Sequence, residues 1–161
     1  MSEPSRGAAP DPRIVAVFGV VAWIAFVVAV FGIISLVIDI DVVRQEDAGP
    51  FLGPAMITAA AVVLGLLLVR IQRAAEPAGV SFVGCAAAVY IVMLLVGAIG
   101  YAAITGRIAQ LLFFVLDYGL SPFVVAAAIL AGLTGITVLA VVARGEGGGR
   151  PRWPWEDRNE P

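Results

Sequence analysis

Hydrophobic positions in this chain fall in four long unbroken runs, not in the alternating or one-sided patterns of a water-soluble fold. Ile14 to Ile38, Phe51 to Val69, Val80 to Thr105 and Pro122 to Val142 make up more than half of the chain, and none of them contains an Asp, Glu, Lys or Arg. A hydrocarbon core roughly 30 Å thick is crossed by about 20 residues of helix, so each run predicts a transmembrane helix. The expected fold is all-α: an integral membrane bundle of four transmembrane helices at about 14–38, 51–69, 80–105 and 122–142. In this division residues 14–143 form the membrane domain, 1–13 an N-terminal tail and 144–161 a Gly/Arg/Trp-Pro tail. The first run is longer than the apolar core of a signal peptide, and Asp39, Ile40 and Asp41 follow it where a cleavage site would need small residues. It is therefore read as a retained signal-anchor helix.

The polar positions set the expected threading. Eight of the ten arginines precede the first span (Arg6, Arg13), join the second to the third (Arg70, Arg73) or follow the fourth (Arg144, Arg150, Arg152, Arg158). Short Arg-rich segments stay on the cytoplasmic side, which predicts both termini to be cytoplasmic. Gly53-Pro54 and Ser121-Pro122 mark the outer starts of spans two and four, where a Pro without an N–H is tolerated. Counted from Pro54 the second span is short, so a start nearer Pro50 would put Pro54 in its first turn. Both starts also share an upstream acid and Gly, at Asp47 and Gly49 and at Asp117 and Gly119. That match allows a duplicated helical hairpin, but over so few permissive positions coincidence is the favoured reading.

Between the third and fourth spans, Arg107 to Asp117 is too short to cross a membrane and too apolar for an ordinary loop. Arg107, Gln110 and Asp117 share one side of a helical wheel, which predicts a short interfacial helix. Alternatives are an outward continuation of the third span broken at Gly106, and a re-entrant gate or docking surface.

Composition then narrows the chemistry. At 61% hydrophobic residues and a mean hydropathy of +1.01, the chain lies far from a soluble domain. It has no His, so the commonest general base and neutral metal ligand are missing, and its single Cys85 has no thiol partner. Membrane-embedded ionisable groups usually mark ion paths or substrate sites. The spans instead hold Ser35, Thr58, Ser81, Tyr90, Tyr101, Thr134 and Thr137, hydroxyl groups able to bond back to their own helix. No nucleophile–base pair is visible, so no enzyme, cofactor or metal site is assigned.

Candidate functional residues are therefore contact residues. Helices in lipid associate through small side chains, and the spacing selects Gly84 with Ala88 and also Gly97 on the third span. On the fourth it selects Ala127, Ala131 and Gly135. These face either neighbouring helices or another copy of the chain. The loop Asp39 to Asp47 carries four carboxylates in nine residues, with Arg44 among them and no recognised cation-ligand spacing, and is read as a solvated acidic loop. Beyond Gly145 to Gly149, the segment Arg152-Trp153-Pro154-Trp155 is read as an interfacial anchor or a short docking motif. Its arginines are offset by Glu146, Glu156, Asp157 and Glu160, and they form no nucleic-acid-binding stripe.

The four-span plan, the Asp47 to Pro50 approach to the second span and the Arg152 to Glu156 ending resemble the uncharacterised small membrane proteins of actinobacteria. No activity is assigned to that family, so the resemblance implies a bacterial plasma-membrane location and topology but no site residue. The expected partners are the lipid bilayer and either another membrane protein or a second copy of the chain. The expected role is a non-catalytic accessory or scaffold subunit, with a small oligomeric channel or transporter as the alternative.

Overall fold

The structure is a computed structural model and describes residues 11–39, 51–74, 77–107 and 109–147. Five helices account for nearly all of them: α1 Pro12–Ile38, α2 Leu52–Ala74, α3 Ala78–Thr105, α4 Ala109–Gly119 and α5 Pro122–Gly147. Among the described residues, α1, α2, α3 and Pro122–Arg144 of α5 are the helices long and apolar enough to cross a membrane. The short helix expected between the third and fourth spans is α4.

The helix ends follow local rules. Asp11 caps α1, its carboxylate accepting the backbone N–H of Arg13 at 2.9 Å, and Pro12 opens the helix. Gly106 closes α3 at φ +67, a left-handed conformation in which a side chain would be strained, and its N–H donates to the Ala102 carbonyl at 2.9 Å. Pro54 sits in the first turn of α2, and Pro122 is the first residue of α5. Both α2 and α5 continue beyond the arginine that ends their apolar stretch, to Ala74 and Gly147. Arg leaves the hydrocarbon but is a good helix former, so the backbone helix outlasts the apolar span.

The spans alternate in direction and close into a ring, with α5 packed between α3 and α1 and α2 packed between α1 and α3. Contacts at successive depths fix this arrangement. At the arginine-bearing end, Gln72 Nε2 donates to the Pro12 carbonyl at 3.2 Å. One level higher, a Cβ on Gly19 would touch Val138 at 3.0 Å and Leu68 at 3.1 Å. Above that, the indole N–H of fully buried Trp23 donates to the Ala127 carbonyl at 3.1 Å. Toward the far end, Phe31 meets Phe123 edge-on with centroids 5.2 Å apart, and Gly100 lies against Leu52. Thr58, Ser81, Thr105, Thr134 and Thr137 each donate to the carbonyl four residues earlier, so these hydroxyls are satisfied within their own helices.

The course of α4 adds to the expected interfacial helix. It runs antiparallel along the outer part of α3, with Phe114 buried against Gly97 and stacked at 5.0 Å on Tyr118. At its C-terminal end the Gly119 carbonyl accepts the Tyr90 hydroxyl at 2.9 Å. Leu52, at the end of α2 away from the arginines, packs on Gly100, and Tyr90 is ten residues further along α3 toward the arginine-bearing end, or ~15 Å along the axis. The end of α4 therefore dips to the depth of the apolar spans, and α4 and α5 together form one discontinuous wall of the bundle. A break at that depth requires its backbone groups to be paired. Tyr90 pairs the Gly119 carbonyl, and the Ser121 N–H donates to Tyr118 at 3.0 Å.

Candidate functional site: a lateral groove and the helix faces

The small residues selected from sequence separate into two groups. Ala127, Ala131 and Gly135 are buried on α5, and a Cβ on Gly135 would meet Cys85 Sγ at 3.1 Å and the Ser81 carbonyl at 3.3 Å. Gly97 is also buried, and its missing side chain leaves room for Phe114, whose ring would lie 2.6 Å from a Cβ. Contacts within the chain therefore occupy these four positions. Gly84 differs, being exposed with nothing within 4 Å of an added Cβ, while Ala88 is half-buried. Gly84 therefore makes no close contact within the chain like that of Gly135, and the buried line of α3 runs through Ser81, Cys85, Val89 and Met93 instead of Gly84 and Ala88. Gly84 is placed one residue off that line, on an outward face with Val80, Ala87, Ile91 and Leu95. The tail candidates Arg152, Trp153, Pro154 and Trp155 lie outside the described residues, as does the acidic loop beyond Asp39.

The interior between the spans is filled. Trp23, Met56, Leu64, Leu68, Met93 and Phe123 are all closed to solvent in the core. A recess among the described residues opens sideways. It is a groove of about 1110 Å³ between α1 and α2, running from Arg13 and Val69 at one end to Phe31 and Pro54 at the other. Its walls are Val17 and Val21 of α1 and Val62 and Leu66 of α2, with Ala61 and Gly65 along α2. A Cβ on Gly65 would meet Val20 of α1 at 3.4 Å, so this small residue is where the two helices approach each other along the groove.

The groove is apolar along its length and cationic at one mouth. A second recess of about 440 Å³ shares Leu66 and Val69 with it and adds Arg70 and Arg73. The Gln72 bond to Pro12 pins the two helix ends together there, so Arg13, Arg70 and Arg73 emerge from adjoining turns, all exposed. Gln72 Nε2 also donates to the Leu68 carbonyl at 2.8 Å, and its buried Oε1 has no hydrogen-bond partner among the described residues. The sequence reading used these arginines only for topology and passed over Gln72, Trp23 and the Tyr90–Gly119 bond. A Gln two residues past a span-ending Arg was the available signal for the pinned end. Nothing local identified the other two, because their partners are 104 and 29 residues away.

Four apolar spans, a filled interior and a recess that opens to the side define a multi-pass helical membrane protein. The chain belongs to a family of unknown function, DUF6121, whose model matches residues 5–161. No curated protein and no solved structure gives a match.

Proposed function

We propose that this protein is a non-catalytic accessory or scaffold subunit of a membrane complex, resident in the bacterial plasma membrane with both termini cytoplasmic. The observation that carries the reading is the filled interior: large side chains from every span close the bundle axis, leaving its outer faces as the surfaces able to act. The arginines at the Arg13, Arg70, Arg73 and Arg144 end support the orientation. On α3, exposed Gly84 beside Ala87 provides a place where a partner helix could approach without a side chain in the way.

Affinity purification from native membranes in mild detergent tests this, comparing wild type with Gly84→Trp. The expected result is a specific membrane protein that co-purifies with wild type and is lost from the variant, while the variant's own yield is unchanged. Recovery of monomer alone after crosslinking would end the accessory reading. A homo-oligomer that passes solute in proteoliposomes would replace it with a pore.

A further inference from the structure

We propose that the α1–α2 groove binds an anionic glycerophospholipid, with an acyl chain along the groove and the phosphate held by Arg13, Arg70 and Arg73. The site stands independently of any protein partner. Three features of the groove match the three parts of such a lipid.

The first is polarity along the length. Val17, Val21, Val62 and Leu66 give the acyl chain an aliphatic wall, and Gly65 gives it a shallow floor. The second is length. One leaflet is about 15 Å of hydrocarbon, or about ten residues of helix, so a chain with its headgroup at Arg13 ends near Ile24 and Ala61, within the same groove. The third is charge. Exposed Arg13 lines the groove itself, and exposed Arg70 and Arg73 line the recess that adjoins it at Leu66 and Val69, so planar N–H forks suited to phosphate oxygens cluster at this end of the groove. Asp11, an acidic residue beside Arg13, directs its carboxylate to the backbone N–H of Arg13 as a helix cap. An uncharged partner helix could fill the aliphatic length but would gain nothing from the cationic mouth, so the charge pattern favours the lipid.

Native mass spectrometry of the delipidated full-length protein tests the site by titration with phosphatidylglycerol and with phosphatidylcholine of matched chains. Attraction of anionic lipid by three basic residues predicts a preference for phosphatidylglycerol of about tenfold or more. R13Q/R70Q/R73Q should bring the two lipids to parity, R13K/R70K/R73K should keep most of the preference, and raising salt should erode it in wild type. Gly65→Leu, which narrows the groove, should lower retention of both lipids. Equal retention by wild type would overturn the proposal, as would retention of both lipids unchanged in Gly65→Leu or a preference unchanged by salt. Crosslinking through Val62→Cys to a second copy or another protein, with lipid excluded, would also overturn it. If the glutamine variant fails to fold, the lysine variant, Gly65→Leu and the salt titration still decide.

Discussion

A leucine placed at Gly135 and one placed at Gly84 would meet opposite surroundings, although both glycines have the same small-residue spacing in the sequence. At Gly135 the added carbon is already within 3.1 Å of Cys85 Sγ and 3.3 Å of the Ser81 carbonyl, so α5 would have to move away from α3. Overpacking of this kind costs about 1–3 kcal/mol. Gly135→Leu is therefore expected to lower the melting temperature in detergent, and Gly84→Leu to leave it nearly unchanged; equal effects would refute the packing described. Tyr90 gives a second prediction at this scale. Tyr90→Phe removes only the hydroxyl that pairs the Gly119 carbonyl at the α4–α5 break. A buried carbonyl left unpaired costs about 1–3 kcal/mol, so this variant should melt earlier, with its helix content unchanged by circular dichroism. The sequence carried the residue types but not the faces: a spacing of four puts two residues on one side of a helix without saying which side meets a neighbour. Gly84 and Ser81 are less than one turn apart and lie on opposite sides of that boundary.

At the scale of helices, the four spans were legible because twenty uncharged residues have no other stable form in lipid. Their ends were less legible. Arg70 and Arg144 end the apolar stretch but not the helix, and Asp11 with Pro12 starts α1 slightly before its first apolar residue. The short helix was legible from its charge pattern, whereas its depth was not, because that depends on the Tyr90 bond and on Phe114 packing at Gly97. The depth can be measured. Leu120 is fully outward-facing at 86% exposure, yet it follows Gly119 at the level of Tyr90 and Leu94. With buried Cys85 as an unreactive background, Leu120→Cys in membranes should resist a water-soluble maleimide that labels Arg107→Cys readily. Equal labelling would place α4 flat on the surface.

For the whole molecule, the ring of α1, α2, α3 and α5 closes on a side-chain core, and a groove between α1 and α2 interrupts it at the side. The arginine-bearing end should face the cytoplasm. Reporter fusions after Ala74 and after Gly147 should therefore be active only as cytoplasmic reporters, and a periplasmic signal from either would reverse the topology. A bundle filled along its axis and open at its side is suited to contact with neighbours in the plane of the membrane. The most direct test of that claim is the mass and composition of the assembly extracted from native membranes with a lipid-preserving polymer. The expected assembly is a heteromer containing this chain and a specific second membrane protein. A lone monomer, or a homo-oligomer enclosing a conducting pore, would contradict it.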